Sequence, residues 1–196
     1  MKTGPTSLKF CLVLRLWSAA MLFRESNAAE ADSILRIHRL AFRREDEAEL
    51  VAKLLLDPSA QPSLSLLADA QDEHVGHVLF TALRLVGSSG PVSCAILAPL
   101  AVLPSQQRSG VGRGLIEHGC QMLSGRGIKL VFVLGDPRFY TRCDFRPAIP
   151  LGLHAPYLIE PEEAWMVRAL CPGLLRIVHG TVQCAQSLAA IQYWRE

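Results

Sequence analysis

The sequence lacks every spacing that would make it a metal-thiolate or redox protein. Its 6 cysteines stand at positions 11, 94, 120, 143, 171 and 184. No two have C-x-x-C spacing, which excludes a zinc knuckle and a thioredoxin-like pair, and no metal site is expected. A G-x-S-x-G elbow is also missing; Gly87-Ser88-Ser89-Gly90 reads as a turn. A long cationic run is absent too. The formal net charge is +2 over 196 residues, with arginines scattered as Arg36/Arg39, Arg43/Arg44 and Arg138/Arg142/Arg146, so no nucleic-acid partner is expected. No apolar run approaches the ~20 residues needed to cross a bilayer, and no membrane partner is expected. Near the N-terminus, Phe10-Cys11-Leu12-Val13-Leu14 is cut short by Arg15, too short for a secretory core, although Ser18-Ala19-Ala20 has the small residues of a cleavage site. Residues 1–20 read as an extension or as the product of an upstream start. A cytoplasmic location with reduced thiols is expected, because the chain is neither short nor loop-dominated. One domain over 21–182 and a tail over 183–196 fit the length.

The informative segment begins in the near-continuous apolar run Ala95-Ile96-Leu97-Ala98-Pro99-Leu100-Ala101-Val102-Leu103, the pattern of a buried strand. Val111, Leu115, Gly119 and Met122 follow at helical spacing, widened by Ile116, Cys120 and Leu123. Between strand and helix stands Gln107-Arg108-Ser109-Gly110-Val111-Gly112. A glycine-bearing turn at a helix N-terminus presents unpaired N–H groups and the positive end of the helix dipole, so it suits a phosphate. The glycines decide which phosphate ligand. No Gly-Lys-Ser/Thr follows, which removes a P-loop, and Leu115 stands where the third glycine of G-x-G-x-x-G belongs, which removes a dinucleotide fold.

The pattern that does fit is Q/R-x-x-G-x-G/A, filled by Gln107, Gly110 and Gly112. Here the chain resembles the GCN5-related N-acetyltransferase (GNAT) superfamily. The preceding Leu97-Ala98-Pro99-Leu100-Ala101-Val102 is similar to that family's fourth strand. Val131 to Tyr140 resembles its fifth strand and the tyrosine-bearing helix after it. The continuation Phe145-Arg146-Pro147-Ala148 is like a bacterial branch of predicted acetyltransferases. The resemblance covers roughly residues 21 to 182. It implies an α/β (α+β) fold: a mixed, mostly antiparallel sheet with flanking helices, splayed between strands four and five. It also implies acetyl-CoA as co-substrate and a small-molecule or protein amine as acceptor, in a monomer or homodimer.

Candidate residues follow. The backbone of Arg108, Ser109, Gly110, Val111, Gly112 and Arg113 would cradle a pyrophosphate, with glycine where a Cβ would obstruct. Gln107 could brace the turn or touch a phosphate. By resemblance, Leu100 and Val102 would hold the pantetheine arm through their backbones, as an added strand would, and Tyr140 would donate a proton to the departing thiolate. A phenol suits that role because it stays protonated near neutral pH. Asp136 and Pro137 read as cap and first residue of the helix presenting Tyr140. No general base stands out among Glu25, Glu73, His74 and His77, and alternation puts His77 on a core face. Cys143 near Tyr140 reads as a packing residue. A non-catalytic acyl-CoA-binding or regulatory module is the alternative.

The remaining elements read as a first strand at 22–25, a helix capped by Asn27 with Glu30, and a helix at 45–56 ended by Asp57-Pro58. A hairpin at 64–68 and 75–83 follows. Further along come a fourth strand opened by Val92, a strand at 130–134, a proline-rich loop or lid at 147–161, and strands at 165–170 and 177–182. The end of the chain, 187–194, reads as a short amphipathic helix or as unstructured, with Leu188, Ile191 and Trp194 spaced by three.

Overall fold

The computed structural model describes residues 21–88 and 90–195; the extension read over 1–20 lies outside the described residues. The chain opens with β1 (Leu22–Glu25). The capping box then forms as expected: the Asn27 side chain accepts the Ala29 N–H (2.9 Å), and Glu30 accepts the Asn27 N–H (2.8 Å). It caps a 3-10 turn that runs directly into α1 (Ala31–Phe42). Arg43, in the left-handed region, ends that helix, and α2 (Asp46–Leu56) turns back against it.

β2 (Leu64–Ala70) and β3 (Glu73–Val86) form the hairpin, both longer than alternation suggests. Residues Gln71 and Asp72 take positive φ in the tight turn between them. β4 (Cys94–Val102) pairs antiparallel with β3, so Val92 stays outside the strand. After α3 (Val111–Gly125), β5 (Leu130–Leu134) returns parallel to β4. The short α4 (Pro137–Tyr140) follows.

The expected proline-rich loop carries two small strands, β6 (Arg146–Pro147) and β7 (Leu153–His154). β8 (Trp165–Ala169) pairs with both β5 and β6. β9 (Gly180–Gln183) begins later than the apolar run at 177 and pairs with the far end of β3. The result is a 9-stranded sheet whose main path runs β1-β2-β3-β4-β5-β8-β6, with β9 and β7 attached beside β3. All pairings are antiparallel except β4–β5 and β7–β9.

Helices cover both faces. α3 lies so close on one face that a Cβ at Gly76 of β3 would stand 2.9 Å from Val111 Cγ1, and one at Gly119 would overlap the Phe80 ring. α1 and α2 cover the opposite face, where His38 of α1 meets His77 of β3. That side continues into a second core, in which Phe132 stacks on Trp165 at 5.3 Å and Trp194 leans against Trp165 at 5.6 Å. Each such fully buried large apolar side chain contributes about 1.5–3 kcal/mol. The segment expected as an amphipathic helix forms two 3-10 turns instead, Gln186–Leu188 and Ile191–Trp194. Leu188 and Trp194 are buried and Ile191 is exposed, so the three do not form one apolar stripe; the segment is broken between the turns at Ala189 and Ala190.

Candidate functional site

The centre of the sheet opens where two parallel strands part. β4 and β5 pair only from Cys94 opposite Leu130 to Leu97 opposite Val133, whereas β4 continues to Val102. The parting coincides with a bulge: Phe80 faces Leu97 and Val78 faces Leu100, so Ala98 and Pro99 share the single partner position of Leu79. Pro99 has no N–H to give to a ladder. Beyond the bulge the backbone directions are fixed. Leu103 donates its N–H to Val75 O at 2.8 Å, so by antiparallel alternation Ala101 also directs its peptide groups to β3. Leu100 and Val102 therefore direct theirs away from β3, into the gap.

The turn of residues 107–113 stands at one end of that gap. Gln107 donates from Nε2 to Val102 O at 3.1 Å, a bond that ties the turn to the end of β4. Arg108 has φ 62° and Gly110 φ 93°, two left-handed residues that reverse the chain into α3; for glycine that path costs little. Gly110 is the N-cap and gives no side-chain cap bond, leaving the first-turn N–H groups of Val111, Gly112 and Arg113 directed out of the helix. The side chains of Arg108, Ser109 and Arg113 are exposed. A Cβ at Gly112 would stand 3.4 Å from Phe139 and 3.6 Å from both Leu100 and Val102. The structure thus brings turn, strand and α4 together as the resemblance implies. An uncapped helix N-terminus, a glycine-lined approach and outward-facing strand amides form a set of donors that fits a pyrophosphate with an amide-bearing arm.

Tyr140 is delivered to the other side of the gap by local chemistry. Asp136 accepts the Arg138 N–H at 2.9 Å and Pro137 occupies the first turn, which starts α4. Arg138 beside it holds the Asp136 carboxyl below its usual range. The tyrosine ring lies on Gly135, where a Cβ would come within 2.5 Å of its edge. Phe139 and Phe145 meet it edge-on at 5.0 and 5.6 Å. Arg168 of β8 locks the following turn, donating to Cys143 O at 3.1 Å while its other bonds go to Glu117 of α3.

A cavity of about 700 Å³ opens here. Its floor is β4 from Ile96 to Leu100 and the end of β5, with Tyr140 on one side. The opposite walls come from the α1–α2 corner, through Phe42 and Asp46 to Leu50, and from Leu188 and residues 192–195. The first of these walls is where the resemblance puts the acceptor groove, with the loop at 41–47. The proline-rich segment at 147–161, which the resemblance makes a second groove wall, does not line the cavity, and sequence reasoning does not point to Leu188 and residues 192–195 as part of it. Of the residues weighed as a base, none lines the cavity. Glu25 pairs with Arg126, Glu73 with Arg36, and His74 with Asp69 and Glu30. His77 is wholly buried, bonded to His38 and Ser65 at 2.8 Å each. The carboxylates that do line the cavity are Asp46, Glu47 and Asp136, and Glu47 is paired with Arg44. Cys143 is buried, and burial raises its thiol pKa, as packing predicts. Among the described residues no cluster of ligands could hold a metal ion, and no helix is long and apolar enough to cross a membrane.

Comparison with known proteins agrees with this geometry. Residues 22–148 match the family model described as an acetyltransferase (GNAT) domain. YjhQ of Escherichia coli K12, named an uncharacterized N-acetyltransferase, is 41% identical over 166 residues, 83% of this chain and 91% of that protein. YhbS of the same strain, named likewise, is 30% identical over 164 residues, covering 83% and 95%. A crystal structure of E. coli YhbS in complex with CoA matches this fold with a TM-score of 0.79 at 26% identity, over 97% of each chain.

Proposed function

This chain belongs to the acetyltransferase (GNAT) family, and from that premise we propose that it transfers the acetyl group of acetyl-CoA directly to an amine. The observation that carries the reading is the gap between β4 and β5, with the amides of Leu100 and Val102 facing into it and the uncapped start of α3 at its end. YhbS, crystallised with CoA, supports the same donor. In this reading the N–H groups of residues 108–113 hold the pyrophosphate, and Gln107 keeps the turn in register with β4. Leu100 and Val102 hold the arm by strand-like bonds. Acetyl-CoA, when bound, supplies a thioester carbonyl to the acceptor.

The residues around the cavity have three tasks. They must admit a neutral amine, although a lysine-type amine has a pKa of about 10.4. They must exclude bulk water, and they must protonate the leaving sulfur. Tyr140 holds the proton for the last task on its phenol oxygen. A C–N bond forms and the C–S bond breaks. The thiolate takes the phenol proton, and the proton shed by the amine restores the phenol through water. No residue is assigned as the base that first neutralises the amine.

Thermal shift tests the donor. Saturating CoA or acetyl-CoA is expected to raise the melting temperature, by mass action on the folded state. No shift with either would overturn the proposal. A shift without thiol release across a broad amine panel would instead favour a non-catalytic acyl-CoA-binding module.

A further inference from the structure

We infer that residues 186–195 form the wall that selects the acceptor, with Tyr193 touching it, and that the acceptor is a small primary amine with a flat or apolar body. A lysine on a folded protein is excluded by the same wall. The inference rests on the acetyl-transfer reading above and adds to it the class of acceptor.

The wall is a strap laid across the end of α2 and pinned at several points. Asp57, just after α2, accepts the Ser187 N–H at 2.8 Å, and Ser59 Oγ accepts the Gln186 N–H at 2.8 Å. Asp57 also accepts from the Ser59 hydroxyl at 2.6 Å and its N–H at 2.8 Å, bonds that hold the carboxyl well below the usual range. Farther along, the Tyr157 hydroxyl donates to Ala189 O at 2.6 Å, and Trp194 Nε1 donates to Leu188 O at 2.8 Å. The Trp194 ring is 3% exposed and wedged between Trp165 and Tyr157. A strap fixed in this way is a preformed surface, not a segment that must be ordered by a ligand.

Three observations assign it to the acceptor. First, it lies outside residues 22–148, the part shared with the family model, so it is not part of the common donor clamp. Second, it stands on the α1–α2 side of the sheet, whereas the turn at 107–113 starts α3 on the other side. Donor and acceptor can therefore approach from opposite faces. Third, the cavity it completes measures about 700 Å³. That is the size of a small-molecule site, and the reacting end of the donor must share it.

The lining gives the chemistry. Phe42 and Tyr193 present partly exposed rings beside Leu50 and Leu188, which suits a flat or apolar body. Asp46 supplies negative charge for an incoming ammonium, Asp136 shares its carboxylate with Arg138, Glu47 pairs with Arg44, and Arg195 is the opposing charge on the strap.

The test uses the full-length protein and two independent readouts. Calorimetric titration with CoA reports the donor site alone. Thiol release from acetyl-CoA is then followed with phenethylamine, tryptamine, linear alkylamines, diamines, amino acids, a lysine-containing peptide and hen lysozyme. At least one small amine is expected to turn over, with kcat/KM above those of peptide and lysozyme. Tyr193→Ala is expected to raise the KM of that amine about tenfold or more, the size of effect one pocket contact commands, with the acetyl-CoA KM unchanged. Asp57→Ala, which frees the strap without touching the cavity, is expected to raise the same KM and leave CoA affinity intact. Preference for the peptide or lysozyme, turnover of these with no small amine acetylated, or an unaltered amine KM in both variants would each overturn the inference. Failure to bind CoA, or CoA binding without thiol release from any acceptor in the panel, would overturn the reading beneath it, and titration and panel together tell the two apart.

Discussion

The His38–His77 pair allows a quantitative test of the packing beneath the site. His38 Nε2 lies 2.8 Å from His77 Nδ1, and His77 Nε2 lies 2.8 Å from Ser65 Oγ. Among the described residues His38 Nδ1 has no partner. One donor order suits this chain: His38 gives its Nε2 proton to His77, and His77 gives its own to Ser65. That leaves a bare lone pair on His38 Nδ1, where the reverse order would strand a buried N–H. Neither ring can take a second proton without cost. Burial lowers the pKa of His38 from 6.5 to about 4, and burial, then the facing His38, holds that of His77 well below its usual value. In the unfolded chain both rings protonate near their ordinary pKa of about 6.5. Because the folded pKa values are the lower ones, the full stability is present above that value and is lost as pH falls toward about 4. At pH 5 His38 alone removes about 2 kcal/mol and His77 up to about 2 more, from roughly 1.4 kcal/mol per proton per pH unit. The carboxyl of Glu30, held down to about 2 chiefly by Arg24, weakens the fold only at lower pH. Urea unfolding at pH 7.5 and pH 5 of the native protein and of a His38→Leu/His77→Leu variant makes the measurement. The native protein is expected to lose about 2–4 kcal/mol between the two and the variant under about 1 kcal/mol. Groups common to both cancel in the comparison, so equal losses would refute the buried neutral pair.

Two further outcomes follow from the site. Tyr140→Phe is expected to lower kcat about 100-fold, the low end of general-acid contributions, with CoA affinity retained by titration; full turnover would remove Tyr140 from its role. Gly112→Ala separates binding from folding, because its Cβ meets only ordinary or slightly tight contacts at 3.4 and 3.6 Å. Alanine in a helix is favoured over glycine by about 0.5–1 kcal/mol, so the melting temperature should hold or rise while CoA affinity falls about tenfold, as a methyl occupies the approach to Leu100 and Val102; unchanged affinity would refute that approach.

The parts of the site that could be read from sequence are those made by neighbours in the chain. A strand, a glycine turn and a helix within residues 95–125 fix one another locally, and Asp136-Pro137 signals the start of α4 by cap chemistry. Alternation placed His77 on a core face, which is where it lies. Alternation could not show that its partner is His38, 39 residues earlier on α1, because that contact depends on how helix and sheet pack. The same limit hid the part of the cavity wall made by Leu188 and residues 192–195, whereas the loop at 41–47 was legible through the resemblance. Residues 192–195 reach the α1–α2 corner through long-range ties, among them Asp57, just after α2, whose carboxylate accepts the backbone N–H of Ser187, 130 residues later. Spacing by three at Leu188, Ile191 and Trp194 suggests one helical face, and it could not show that the segment breaks into two turns with Ile191 left exposed.

Placement on two faces also bears on how the acetyl group travels. A route through an acetyl-cysteine would need a thiolate beside the donor. Cys143 is the cysteine nearest Tyr140 in sequence, but it is 1% exposed, and burial raises its pKa above the usual thiol value. Cys120, on the buried face of α3, is pushed up to about 12, chiefly by desolvation. Neither can hold the group in transit. The direct attack proposed above requires donor and acceptor at the gap together, and a donor entering from the α3 side would leave the α1–α2 side free for the amine. Under this arrangement the two halves of the site are separable. In the proposed reading the clamp is the turn and strand within the matched residues 22–148, and the strap offered as the acceptor wall hangs from Asp57 and Ser59. A change in the strap therefore alters which amine fits without disturbing the hold on CoA.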